Sequence, residues 1–278
     1  MDFRFSRLHG QYPMALPIAL PMGLIVVGET LLFNRNLEGC ATVHLLNILI
    51  CVLAPILLKE NPILWQSFSL VSILRVLNLG MPRFNELTLL WIPIIYAPAI
   101  VVGFMLIRDE RLGLRDYLVS LKRFFNISPA TAGWKAYYLP LSILIALFVS
   151  NIEFKVLGLT NTDLRLIPEL NWEYFTLLFV VMVFFVGLGE EVVFRYILQT
   201  RLQASVGIIA ALSISSLVFA LMHSGYSSLP YMAYVFGVSV MLGVIFYRTN
   251  SLAFVSLIHG TLNVFLFSLL PYGHLVLF

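Results

Sequence analysis

The chain has 278 residues, of which 60% are hydrophobic and 11% are charged, and its formal net charge is +3. Soluble domains carry about 25% charged residues, so this composition excludes an ordinary soluble protein and indicates one embedded in a membrane. Most Lys and Arg residues lie in loops between apolar segments, which suggests that they set the membrane topology. Nothing in this pattern indicates nucleic-acid binding.

The apolar segments predict an all-α, polytopic integral membrane bundle of eight or nine transmembrane helices. About 20 apolar residues cross a bilayer as a helix, and the segments lack the alternation of membrane strands. The third segment is the weakest, because Arg75 and several polar residues interrupt it, so it either spans the membrane or lies in the interface. The N-terminal part, residues 1–170, contains the segments 12–33, 42–58, 63–80, 87–107 and 137–151.

A basic loop separates the fourth segment from the fifth. Residues 108–135 contain six Lys or Arg residues, and the positive-inside rule therefore predicts that this loop is cytoplasmic. Within the loop, residues 114–125 have the spacing of a short interfacial helix. If all nine segments span, 11 Lys and Arg residues fall on the side of this loop and four fall on the other. That bias favours nine spans and a cytoplasmic N-terminus.

The C-terminal part, residues 171–278, contains four further helical segments and the candidate site. The segments are 174–203, 206–224, 231–247 and 252–270. The first of them carries Glu190, Glu191 and Arg195 within a long apolar run. An ionisable side chain at bilayer depth costs at least ~2.5–3.5 kcal/mol, so such residues usually face a bundle interior and mark function.

The two adjacent carboxylates are predicted to have different partners. Glu191 and Arg195 are four residues apart and share a helix face, so we expect them to pair and to support the fold. Glu190 is rotated by ~100° from Glu191 and needs another partner. We therefore assign Glu190 to chemistry and Glu191, with Arg195, to structure.

Two later motifs supply candidate partners for Glu190. Phe219 and His223 are four residues apart in one segment, and His259 and Asn263 have the same spacing in the last one. A count from the nearest turn places Glu190 and His223 at depths of ~21 and ~25 Å, so we expect them at a similar level.

This set of residues has two chemical interpretations. A carboxylate and an imidazole can activate water as general base, and a second His with an Asn can donate to an oxyanion. Alternatively, Glu190, His223 and His259 could bind Zn²⁺ and leave one position open. The chain has no His-Glu-x-x-His motif, and Asn263 is a poor zinc ligand, so no cofactor is favoured. The residues alone leave both interpretations open.

Taken together, Glu-Glu-x-x-x-Arg at 190–195, Phe-x-x-x-His at 219–223 and His-x-x-x-Asn at 259–263 resemble the three motifs of the CPBP intramembrane proteases. That family includes the type II CAAX prenyl endopeptidases and bacteriocin-processing or self-immunity proteins. The resemblance implies a multi-pass endopeptidase of the cell membrane, in contact with lipid, acting on a peptide or a lipidated protein. It also implies that Glu190 activates water with help from His223, while His259 and Asn263 donate to the oxyanion.

Two other classes remain as alternatives. The chain could be a non-proteolytic membrane immunity or binding protein that keeps the polar cluster for packing. A transporter is less favoured, because the N-terminal half contains no inverted copy of the cluster. Glu29, His44 and Arg75 have no comparable partners nearby in the sequence, and we interpret them as structural or interfacial.

Overall fold

The computed structural model describes residues 15–81, 85–108, 137–158 and 164–277. Within these ranges the chain forms helices and no strands. The helices of the N-terminal part are α1 (Leu16–Phe33), α2 (Leu37–Leu58), α3 (Ile63–Leu79), α4 (Asn85–Arg108) and α5 (Tyr138–Gly158). Those of the C-terminal part are α6 (Trp172–Val206), α7 (Ile208–Leu221), α8 (Leu229–Thr249) and α9 (Leu252–Tyr272).

These helices confirm the predicted all-α polytopic bundle. Six of them, namely α1, α2, α5, α6, α8 and α9, are long and apolar enough to cross a membrane. Three shorter apolar stretches lie in α3, α4 and α7. The nine helices correspond one to one with the nine predicted segments. The basic loop beyond residue 108, and the interfacial helix predicted at 114–125, lie outside the described residues.

The helices of the candidate site begin at side-chain caps. Asn171 accepts a hydrogen bond from the Tyr174 amide at the start of α6, and Ser228 accepts one from the Tyr231 amide at the start of α8. Ser251 caps α9 in the same way through the Phe254 amide. Such caps satisfy amides that have no partner within the helix and contribute about 1 kcal/mol each. They define where α6, α8 and α9 begin.

Helix α9 lies in the centre of the bundle and packs against α5 and α6. Its approach to α6 depends on two glycines. A Cβ atom on Gly187 would lie 2.7 Å from the backbone nitrogen of Gly260, and one on Gly260 would lie 2.5 Å from the Cα of Val183. Small residues allow membrane helices to come this close. The crossing brings the segment of α6 that contains Glu190 beside the segment of α9 that contains His259.

Helix α3, the weakest predicted span, is part of the bundle interior. It packs along α2 and α1, and ten of its 17 residues are buried. Arg75 of α3 donates from Nε to Oε1 of Glu29 in α1 (2.6 Å) and from Nη2 to Oε2 of the same carboxylate (2.8 Å). This bidentate pair joins two residues that are 46 positions apart. Because Arg75 has a buried carboxylate partner, it does not have to lie in the membrane interface.

Candidate active site

A cavity of about 710 Å³ lies within the bundle, and the four predicted catalytic residues all line it. Glu190 comes from α6, His259 and Asn263 come from α9, and His223 comes from the turn after α7. The structure therefore brings together the side chains that the sequence motifs singled out. Their catalytic roles remain predictions, and the geometry below is the basis on which we assign them.

The backbone of α6 is irregular around the two carboxylates. π-helical stretches at Met182–Gly187 and Val192–Gln199 flank the α-helical turn Leu188–Glu191. π-helical turns are rare and are frequent at functional sites. The side chain of Glu190 is 14% exposed and faces the cavity, whereas that of Glu191 is completely buried. The two neighbours thus lie in different environments, as predicted.

Glu191 joins Arg195 to the site. Its Oε2 lies 3.2 Å from Nε of Arg195, which confirms the predicted i, i+4 pair. Its Oε1 lies 2.7 Å from Nδ1 of His259, a contact that the sequence did not predict. Arg195 also donates from Nη2 to the hydroxyl of Ser239 in α8 at 3.1 Å. Because a buried charge requires partners, Glu191 both neutralises Arg195 and orients the His259 ring.

Glu190 contacts two groups that face it across the cavity wall. The hydroxyl of Tyr96 in α4 donates to Oε1 of Glu190 at 2.5 Å, and Nε2 of His259 lies 3.6 Å from Oε2. Gly189 makes the first contact possible, because a Cβ atom there would lie 2.7 Å from the ring of Tyr96. The imidazole of His259 therefore lies between the two carboxylates, with one ring nitrogen towards each.

His223 occupies a turn and not a helix, which corrects the predicted segment 206–224. Helix α7 ends at Leu221, and a short 3₁₀ turn, Ser224–Tyr226, follows His223. The Nδ1 atom of His223 lies 3.0 Å from the carbonyl oxygen of Phe219 and donates to it, which leaves Nε2 as the acceptor. Among the described residues, no direct hydrogen bond joins His223 to Glu190; the two residues share the cavity.

Phe219 packs beneath the polar residues of the site. Its ring centroid lies 5.0 Å from that of His223 and 5.8 Å from that of His259. The guanidinium carbon of Arg195 lies 4.6 Å from the same centroid, a cation–π contact. The Phe219 side chain thus separates Arg195 from the cavity and supports both imidazoles.

The N-terminal helices hold the turn that carries His223. Nη2 of Arg75 donates to the carbonyl oxygen of Met222 at 2.5 Å, and the hydroxyl of Ser224 donates to Oε2 of Glu29 at 2.6 Å. His44 completes this buried group, with Nε2 3.2 Å from Oε1 of Glu29. The residues on either side of His223 are therefore bonded to the Glu29–Arg75 pair.

Sequence reasoning missed several polar residues of the cavity, and three of them stand out by their hydrogen bonds. They are Tyr96, which bonds Glu190, and Glu153 and Tyr231, which bond each other through the tyrosine hydroxyl at 2.9 Å. None lies in a motif, and a Tyr in an apolar helix is common at membrane interfaces. Glu153 in α5 is a carboxylate within a span, and that feature alone could have marked it.

The predicted zinc ligands do not form a compact ligand set. Among the described residues, three ligand atoms that all lie within 4.8 Å of one another are found at Glu29, Cys40 and His44. Glu190, His223 and His259 do not form such a group. Both oxygens of the Glu29 carboxylate already accept hydrogen bonds from Arg75. The positive charge of this guanidinium opposes the binding of a cation there. The zinc interpretation of the predicted site therefore has no compact ligand set behind it among the described residues, and the chemistry below uses only side chains.

Fold and site together define a multi-pass, all-α membrane protein with a carboxylate–imidazole centre inside its helical bundle. Residues 172–265 match the family model described as type II CAAX prenyl endopeptidase Rce1-like. This match covers α6, α7, α8 and the first two thirds of α9, contains all three motifs, and confirms the resemblance to the CPBP proteases over these residues. At the level of the family it supports a membrane protease. No curated protein and no solved structure matches the chain.

Proposed function

We propose that the protein is an intramembrane endopeptidase that hydrolyses a peptide bond with a water molecule activated by Glu190. The observation that carries this proposal is the environment of that carboxylate. It faces the cavity, it is partly exposed, and its Oε2 lies 3.6 Å from the imidazole of His259. The neighbouring Glu191 is fully buried and is occupied by Arg195 and His259.

In the first step, Glu190 removes a proton from water while the water oxygen attacks the carbonyl carbon of the scissile bond. The hydroxyl of Tyr96, at 2.5 Å from Oε1, holds the carboxylate and leaves Oε2 to face the water. The Nε2 atom of His223 accepts a hydrogen bond from the same water, because its Nδ1 is occupied by the Phe219 carbonyl. General-base assistance of this kind contributes about 10²–10⁴-fold to a rate.

In the second step, the negative oxygen of the tetrahedral intermediate accepts hydrogen bonds from Asn263 and His259. His259 acts here as an imidazolium, whose Nδ1–H is held by Glu191 at 2.7 Å and whose Nε2–H faces the cavity. The Glu191 carboxylate offsets its positive charge at this stage, because Glu190 holds the proton taken from water. When the carbon–nitrogen bond breaks, the proton on Glu190 passes to the leaving nitrogen, so the products are a carboxylic acid and an amine.

The family match and the walls of the cavity support a substrate class for this proposal. Aliphatic side chains of six helices line it beside the polar centre, among them Ile92, Val186, Val235 and Leu262. A volume of about 710 Å³ accommodates a short extended peptide segment and an apolar group. A peptide carrying a lipid near its C-terminus, as in a prenylated CAAX sequence, is therefore the first probe to use.

The test is cleavage of a prenylated CAAX peptide by the purified protein, with products identified by mass spectrometry. We expect turnover by the parent chain and none by Glu190→Gln, which is the matched inactive control. Absence of turnover in the folded parent chain, on both prenylated and unprenylated peptides, would contradict the proposal.

A chelator arm tests the metal-free scheme. Because side chains alone supply the base and the oxyanion donors, activity should be unchanged by chelation. Stoichiometric zinc in the purified protein, with activity lost on chelation and restored by zinc, would replace the scheme with a metal-dependent one.

A further inference from the structure

One wall of the cavity carries a carboxylate that takes no part in the proposed chemistry. Glu153 of α5 lines the cavity and is 7% exposed. Its Oε1 accepts a hydrogen bond of 2.9 Å from the hydroxyl of Tyr231, at the start of α8. Its Oε2 has no hydrogen-bond or ion-pair partner among the described residues, and it is not closed off from open space. A buried carboxylate with a single hydrogen bond is costly unless a further partner compensates its charge.

Two tyrosine rings stand beside this carboxylate. The ring centroids of Tyr226 and Tyr231 lie 4.8 Å apart with an interplanar angle of 69°, and both residues line the cavity. We call these two residues, together with Glu153, the tyrosine–carboxylate corner. The faces of aromatic rings attract cations, and a carboxylate beside them can accept a charge-assisted hydrogen bond. The corner is therefore complementary to an ammonium or guanidinium group.

The corner adjoins the proposed catalytic residues. The ring centroid of Tyr231 lies 5.9 Å from that of His223, and electrostatic interactions link Glu153 with both His259 and Glu190. An extended peptide advances ~3.4 Å per residue. A side chain held at Glu153 therefore belongs to a residue close in sequence to a peptide bond that lies at Glu190.

The arginines that line the same cavity oppose a cation at the corner only weakly. Arg75 is paired with both oxygens of Glu29, and the side chains of Arg35 and Arg165 are exposed. Salt screens charges that are in contact with water, and it screens buried pairs much less. A cation in the corner is therefore attracted by Glu153 more strongly than these arginines repel it.

From these contacts we infer that the tyrosine–carboxylate corner is a subsite for a basic side chain of the substrate. The substrate then carries Lys or Arg near the scissile bond. Its ammonium or guanidinium group donates to Oε2 of Glu153 and lies against the rings of Tyr226 and Tyr231. That the ligand is a peptide rests on the proposed function, whereas the preference for a cation rests on the corner alone.

A lysine scan of the probe peptide tests the subsite. At successive unlipidated positions on both sides of the scissile bond, a peptide with Lys is compared with one that carries norleucine, which has a similar shape and no charge. At one position we expect kcat/KM for the Lys peptide to be higher by about 10-fold, the size of a hydrogen bond to a charged group. Equal values at every position would overturn the inference and leave the proposed function intact.

Glu153→Gln tests whether this carboxylate is responsible. The amide can still accept the hydrogen bond from Tyr231 but carries no charge, so the preference for Lys over norleucine should disappear. Glu173→Gln is the matched control, because Glu173 is an exposed carboxylate at the start of α6 and does not line the cavity. It should keep the preference of the parent chain. If Glu153→Gln does not fold, Tyr226→Leu removes one ring and should weaken the same preference. A preference that survives unchanged in the folded variant would overturn the inference.

Binding tests the subsite independently of cleavage. In the Glu190→Gln background, fluorescence anisotropy should show that the labelled Lys peptide binds about 10-fold more tightly than the norleucine peptide. The further change Glu153→Gln should abolish this difference. Equal binding of the two peptides would overturn the inference. Lack of cleavage by the folded parent chain would instead contradict the proposed function, and binding would still decide whether the corner takes a cation.

The same assays separate a peptide cation from the amine of a lipid head group. They are run in a detergent without an amine, where the preference for Lys should already be complete. If turnover depended on added phosphatidylethanolamine and not on Lys in the peptide, the corner would bind a lipid head group, and the inference would be wrong.

Discussion

The bundle contains two buried carboxylate–arginine clusters of similar composition, one in each half of the chain. In the N-terminal cluster, Glu29 accepts from Arg75 at 2.6 and 2.8 Å and from Ser224 at 2.6 Å, and it contacts His44 at 3.2 Å. In the C-terminal cluster, Arg195 and His259 both contact Glu191, and Glu190 remains beside them at the cavity.

The difference lies in what each cluster leaves available. Glu29 has no exposed surface and its oxygens are occupied, so it joins α1, α3 and the turn around His223. The C-terminal cluster contains a second carboxylate, Glu190, which faces open volume and of which Tyr96 bonds only Oε1. Ionisable residues in a membrane mark function by default. Here the number of hydrogen-bond and ion-pair partners distinguishes Glu29, which we interpret as structural, from Glu190, which we propose is reactive.

Removal of the Glu190 charge is expected to have the largest effect. Glu190→Gln deletes the general base, so turnover should fall on the order of 10³-fold, within the range of such groups. The thermal unfolding midpoint should be nearly unchanged, because Glu190 is partly exposed. The matched change in the other cluster, Glu29→Gln, should lower the unfolding midpoint more than Glu190→Gln does. If Glu29→Gln proved the more inactive and Glu190→Gln the less stable, the two clusters would have been assigned the wrong way round.

Removal of a partner from the saturated cluster should affect stability first. Arg75→Met leaves Glu29 buried with an uncompensated charge, which typically costs about 3–5 kcal/mol. The loss should appear in the unfolding midpoint and in the yield of folded protein. The double variant with Glu29→Leu as well should recover part of it, because no charge is then stranded. If Arg75→Met unfolded at the same midpoint as the parent chain, the cluster would not contribute this free energy to the stability of the fold.

Loss of an oxyanion donor is expected to come next in size. Asn263→Ala should lower kcat and kcat/KM together by about 10²-fold, the pattern for a contact made only in the transition state. Asn47→Ala provides the control, since Asn47 is a buried amide of the N-terminal cluster that donates to Ser72 at 2.9 Å. It should lower stability and leave kcat largely unchanged. An increase in KM alone for Asn263→Ala would assign that residue to substrate binding.

The smallest of these effects is expected for Tyr96→Phe. The change removes one hydrogen bond to a charged group, and the lower value for such a bond, about 1.5 kcal/mol, corresponds to a fall in kcat of about 10-fold. Tyr234→Phe is the matched control, because its hydroxyl donates to the Val149 carbonyl at 2.6 Å and lies outside the site. Equal activity of Tyr96→Phe and the parent chain would show that this hydroxyl does not hold Glu190 in a productive position.

Much of this protein is determined by its sequence alone. Apolar run length predicted eight or nine membrane helices and left the position of the third segment open, because the bilayer requires about 20 residues per span and satisfies no backbone group outside a helix. Regular spacing along a helix also predicted the Glu191–Arg195 pair and the grouping of His259 with Asn263 on one face. These features depend on residues that are close in the chain, so a local pattern is sufficient to find them.

Only the tertiary structure decided which distant residues meet. The crossing at Gly187 and Gly260 places His259 between Glu190 and Glu191, and the packing of α4 on α6 brings Tyr96 to the Glu190 carboxylate. The Glu29–Arg75 pair likewise joins positions 46 residues apart. Such contacts depend on how whole helices pack against one another, at distances over which neither hydropathy nor helical spacing carries information.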